Sequence, residues 1–180
     1  MSQARDLVDS LVDTTRSGRI IQVQRTQYTS TTSTAVATYT NVELSHLAVN
    51  ITPTATNSII MIEAQIVGEW NPMSITYNSG WFFYRDSTKL AAPLDGSRSI
   101  TVLPTTLIGI TAEDQASTPE AALYSYFDTP SSTSQIAYKV GVVQGSGGAA
   151  TWYTNRTVAD TNSGDYERGI SYISVTEIAG

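Results

Sequence analysis

Cysteine is absent from the chain. That excludes disulfide scaffolds, thiol nucleophiles and thiolate metal or iron–sulfur centres. It also argues against a small secreted domain, which usually leans on disulfides. Lysine is nearly absent, with Lys89 and Lys139 alone, and histidine occurs once, as His46. Charged residues make up 14% of the 180 positions, against about 25% in ordinary globular chains. The balance is acidic, with a net charge of −6. Nucleic acid is therefore excluded as an expected partner, because phosphate binding needs clustered Lys and Arg. No apolar run approaches the ~20 residues of a membrane-spanning helix, so no membrane insertion is expected. The opening MSQARDLVDSLVD mixes acids with aliphatics and does not read as a signal peptide. Synthesis in a cytosol without standard export is the expectation.

Serine and threonine fill the place of the missing charge. Threonine favours strands and serine favours turns, while good helix formers are scarce. The composition predicts an all-β protein. The exception is residues 2–15, where Ala4, Leu7, Leu11 and Thr14 follow heptad-like spacing and Val8 and Val12 widen the stripe. A helix of about four turns is unstable alone, so Leu7, Val8, Leu11 and Val12 are candidates for a docked surface. Ser17-Gly18 punctuates the chain there. This divides it into a helical attachment or trimerisation segment, 1–18, and a β domain, 19–180.

Beyond Gly18 the pattern is one of strands. Ile20 to Tyr28 reads as the first, and the Ser/Thr run 29–34 as a turn or exposed edge. Val36 to Val42 and Leu44 to Ile51 follow. Ile59 to Val67 is long, nearly continuous and apolar, as a central strand would be. Further strands are expected at Trp81–Tyr84, Leu90–Ala91, within 100–110 with an edge or bend at Pro104, at Leu123–Phe127, Ile136–Val142, Trp152–Asn155 and Ile170–Ile178. Eight to ten strands without an internal repeat predict a two-sheet β-sandwich of jelly-roll type.

Catalytic constellations do not stand out. His46 lacks a partner at triad or metal spacing, and no G-x-S-x-G elbow occurs. Glu113-Asp114 is the most conspicuous acidic couple, but strand neighbours point to opposite faces. The run Asp160 to Glu167 alternates oxygens around Gly164 as a calcium loop begins, and equally as a polar hairpin turn does. We therefore assign no catalytic, cofactor or metal residue. Tyr77, Trp81, Trp152 and Tyr153 lie near expected loops and are candidate glycan contacts. Their alternative is core or interface packing. Asn50 and Asn155 stand in glycosylation sequons, which carry no meaning without export.

Several segments, in order, resemble a family of short bacteriophage virion structural proteins described as tail-fibre-like. They are NITPTATNSIIMI, WFFYRDSTKL, ALYSYFDTPSSTSQIAYKV, WYTNR and GISYISVTEIAG. The matching motif positions are Phe127, Asp128, Pro130, Tyr138, Lys139 and Val140, followed by Ser174, Glu177, Ile178 and Ala179. The likeness covers about residues 18–180. It implies a β-sandwich, a virion location after synthesis in the host cytoplasm, and a homotrimer. Other virion proteins would be contacted through the N-terminal segment, and a host surface glycan is a candidate ligand. A tail-fibre-like projection, a capsid decoration or head-fibre role, and a carbohydrate-binding module or polysaccharide depolymerase stay open at this point.

Overall fold

The computed structural model describes residues 17–90, 98, 100–104, 116–145 and 148–180. The helix expected at 2–15, the stripe Leu7, Val8, Leu11 and Val12, and Glu113-Asp114 all lie outside the described residues.

The apolar run 59–67 does become the central strand. It extends to Asn71 as β4, Ile59–Asn71, and alternates cleanly: Ile60, Ile62, Ala64, Ile66 and Trp70 are buried, while Met61, Glu63, Gln65 and Val67 turn outward and are half-buried. One side of β4 pairs with β8, Glu120–Asp128. The other side is shared. Its first half pairs with β11, Ser171–Ile178, and its last four residues with β10, Ala150–Thr154. Beyond them lie β1, Ile20–Tyr28, on β11 and β2, Thr32–Val36, on β10. The second sheet runs β3, Val42–Ile51, then β9, Ile136–Gln144, then β5, Ser79–Arg85. Its far edge is divided between β6, Thr88–Leu90, and β7, Leu103–Pro104. A 3₁₀ turn, Met73–Asn78, links β4 to β5.

Each divided position can be counted as one strand: β1 with β2, β6 with β7, and β10 with β11. The strands then number eight, in order 1-8-3-6 in one sheet and 2-7-4-5 in the other. That is jelly-roll topology, two Greek keys folded face to face. The expectation of an all-β two-sheet sandwich is met. One detail differs. The second strand was expected at Val36–Val42, but it ends at Val36 and occupies the Ser/Thr run before it. An edge strand needs only one buried face, and β-branched threonine suits such a half-exposed position.

The inward faces of both sheets form one core, including Leu44, Leu47, Ile60, Ile62, Phe83, Tyr138, Val140 and Val175. At one end, Trp70, Trp81 and Trp152 interlock with ring centroids 4.9 to 6.5 Å apart. Gly68 makes room for this: a Cβ there would meet the Trp152 ring at 2.6 Å. Gly141 does the same for the Phe82 ring on the other sheet.

Candidate functional site

Two ends of the sandwich gather buried polar groups. At the end holding the start of β4, Asp128 closes β8 and reaches across to the second sheet. Arg85 Nη1 on β5 donates to both carboxylate oxygens, at 3.1 and 3.2 Å, and the Tyr138 hydroxyl on β9 donates at 2.7 Å. Burial pushes the Tyr138 hydroxyl far up, and the bond to Asp128 and that residue's charge add to it, so Tyr138 stays a donor. The resemblance motif thus has a physical content its spacing alone did not show. Asp128 and Tyr138 form a latch between sheets, and the tripeptide Asp128-Thr129-Pro130 is its exit turn. Val140 faces the core with Tyr138, while Lys139 points away to Glu43 Oε2 at 2.6 Å.

Beside this latch, Glu177 of β11 is fully buried. Its Oε1 accepts from Ser58 Oγ at 2.6 Å and from Thr54 N and Thr54 Oγ1, both at 2.7 Å; Oε2 accepts from Gln22 Nε2 at 2.6 Å. Burial by itself would raise this carboxyl, but the bonds from Ser58, Gln22 and Thr54 together outweigh it and hold Glu177 below the ordinary carboxylate range. Glu177 holds the 52–58 loop, together with the bonds from Gln22 Nε2 to Thr52 O at 2.8 Å and from Asn57 Nδ2 to Gly180 O at 3.0 Å. A cleft of about 290 Å³ lies alongside, lined by Ile21, Thr54, Ala55, Asn57, Ser58, Ala179 and Gly180. The hydroxyls of Thr54 and Ser58 that border it already donate to Glu177.

At the opposite end, Glu120 opens β8 and is also buried. The Thr76 hydroxyl approaches its two oxygens at 3.3 and 3.5 Å. Burial dominates here and pushes Glu120 up to about 7. The Thr76 bond pulls it down by less, and the nearby charge of Glu69 pushes it further up. Glu69 is buried as well and accepts from the backbone N–H of Val158 at 2.6 Å. A carboxyl titrating near neutrality can act as a general acid in a cleft. The cleft beside Glu177 lies at the other end of the sandwich.

The residues singled out in the sequence fall as follows. His46 is partly buried, 3.1 Å from Thr154 Oγ1 and against the Tyr28 ring, and burial lowers its pKa. Asp160 is held by Arg156 at 3.1 Å and by Arg168 at 3.0 Å through both oxygens. Among the described residues no three His, Asp or Glu side chains converge as a metal ligand set. Asn155 is fully buried with positive φ; its amide donates to Tyr28 O and Ser30 O, and its oxygen accepts from Ser171 Oγ.

The four aromatic candidates separate. Trp81 and Trp152 are each 1% exposed and packed on one another, so they present no ring face to a sugar and are core. Tyr77 is exposed, and Tyr153 is half-buried with the Arg156 guanidinium over its ring at 4.5 Å. Sequence reasoning missed Glu69, Glu120 and Glu177 as buried groups. The available signal was an acid inside an otherwise apolar strand, as in Val67-Gly68-Glu69-Trp70 and Val175-Thr176-Glu177-Ile178.

No family model matches the chain, and no curated protein matches its sequence. Among solved structures, it is similar to the infectious bursal disease virus VP2 subviral particle, with 10% identity and a TM-score of 0.41. That match covers 90% of this chain and 39% of the other. It is also similar to infectious bursal disease virus Gx strain, with 15% identity and a TM-score of 0.35, covering 90% of this chain and 41% of that one. The chain therefore corresponds to less than half of either. No helix among the described residues is long and apolar enough to cross a membrane.

Proposed function

We propose that the chain is a non-enzymatic structural protein of a bacteriophage particle, its jelly-roll domain projecting from the virion in a tail-fibre-like manner. One observation carries this reading. The polar groups suited to chemistry are engaged within the chain: His46 by Thr154, Asp128 by Arg85 and Tyr138, Asp160 by two arginines, Glu177 by four donors, and Glu120 by the longer bond from Thr76. They hold loops and sheets to one another. The jelly roll is a frequent architecture of capsid and lectin domains, and the motif Asp128…Tyr138 that carries the likeness to virion proteins is a sheet-to-sheet latch, a structural device. Fold alone does not assign function; the engaged side chains are what favour a scaffold over a catalyst.

In this reading residues 1–18 provide attachment to other virion proteins, three copies associate, and exposed loops near Tyr77 are available to a host surface. Imaging of purified particles carrying a label on this protein tests it. The expected result is a label projecting from the tail. A label spread over the head would move the protein to a capsid decoration role. Absence from particles, or release of reducing sugar from host polysaccharide by the purified protein, would overturn the proposal.

A further inference from the structure

Among the described strands the two sheets have four edges, and three of them are blunted in ways that prevent pairing with another chain. The β1/β2 edge is interrupted at residues 29–31, slips register between Ile20 and Gln22, and carries Arg25. The β3 edge slips register between Leu44 and Ala48 and carries Glu43. The β6/β7 edge is made of a three-residue and a two-residue strand, the latter ending in Pro104.

The fourth edge, β8, has none of these devices. It runs nine residues in unbroken register with β4, from Glu120 opposite Gly68 to Asp128 opposite Ile60. It contains no proline, lysine or arginine, and its only charges are its two terminal residues, both buried. Its outward row is Ala121, Leu123, Ser125 and Phe127, with Leu123 62% and Phe127 59% exposed. A long, smooth, uncharged and apolar edge is a template for strand addition.

We propose that β8 pairs antiparallel with β8 of a second copy, about a two-fold axis at Ser125, so that one sheet runs through both. The occupant follows from charge and from register. The chain carries −6, so copies repel except across an uncharged face, and the outward row of β8 is such a face. Pairing must keep outward residues opposite outward residues, which requires an axis through a residue. An axis at Tyr124 would set Glu120 against Asp128 of the other copy, acid against acid. An axis at Leu123 would leave Phe127 beyond the partner strand's end. An axis at Ser125 sets Leu123 against Phe127 on both sides of the axis and places each Asp128 opposite an Ala122. Self-pairing of this kind is isologous, a separate contact from any three-fold association. It stands or falls independently of the virion reading.

The natural absence of cysteine makes the test direct. In the full-length protein, Ser125→Cys puts two thiols on directly opposite residues, about 4.5–5.5 Å apart at Cα, within disulfide range. Mild oxidation should convert most of this variant to a covalent dimer on a non-reducing gel. Ser174→Cys is the control, because it lies in the same row of the sheet but on the interior strand β11; it should stay monomeric. Adding Leu123→Lys and Phe127→Lys to Ser125→Cys should reduce cross-linking at least tenfold. Both side chains are more than half exposed, so the fold should be kept, which an unchanged circular dichroism spectrum would verify. Cross-linking of Ser125→Cys no greater than the control, or cross-linking that persists in the charged variant, would overturn the proposal.

Discussion

The two ends of the sandwich bury carboxylates with opposite consequences. At one end, Glu177 accepts four hydrogen bonds, and the donors outweigh its burial. At the other end, Glu120 has a long bond from Thr76 and a like charge nearby, and burial wins, pushing it up to about 7. The three carboxyl side chains Glu177, Asp128 and Glu120 are all buried. The comparison teaches that burial does not decide the charge of a carboxyl; the number and geometry of donors do. It follows that the Glu177 end depends on an ionised acid, while the Glu120 end is most stable with its acid protonated.

The largest effect that can break this contrast is expected at Glu177. Replacing it with alanine leaves four donors from Gln22, Thr54 and Ser58 without their acceptor and loosens the 52–58 loop, at a cost of about 3 kcal/mol. Urea denaturation checks the figure; a loss under ~1 kcal/mol would mean the donors find water at no cost. Next is the latch. Asp128→Ala strands the buried Tyr138 hydroxyl, while the partly exposed Arg85 regains water, so about 2 kcal/mol is expected. Asp128→Asn should recover part of that loss, since an amide oxygen still accepts from Tyr138.

A smaller effect sharpens the comparison through pH. Because the Glu120 carboxyl titrates higher in the folded chain than its ordinary value of 4.5, the folded state binds more protons than the unfolded state in between. Its contribution to stability is therefore fully present below 4.5 and is lost as pH rises through about 7. Glu177, held low, contributes above 4.5 and loses that contribution as pH falls further. His46, also lowered, is stabilising when neutral and loses that contribution as pH falls from 6.5. Glu120→Gln isolates one of the three. The variant should match the wild type near pH 5 and exceed it at pH 8 by roughly 1 kcal/mol, a figure discounted for screening by nearby solvent. A difference that is flat across this range would contradict the assignment.

Much of the sandwich was legible because its periodicities are local. Ile136, Tyr138, Val140 and Val142 alternate with Gln135, Lys139 and Gly141, and all four are buried on β9. The long run from Ile59 became the central strand for the same reason. The buried network was not legible, because its partners are distant in the chain. Asp128 meets Arg85 across 43 positions, and Glu177 meets Thr54 across 123. The aromatics failed differently: Trp81 and Trp152 sit next to loops in the sequence, as a sugar platform would, but only tertiary packing turns their faces onto one another. Leu123 and Phe127 are the converse case, large apolar side chains of a strand left facing outward.

The claim that donors set these charges is tested most directly by following the side-chain carboxyl carbons by NMR through a pH titration. Glu120 is expected to titrate near 7 and Glu177 below 4.5, each assigned by its disappearance in the Glu120→Gln or Glu177→Gln variant. If both carboxyls titrate together near 4.5, the contrast between the two ends is wrong.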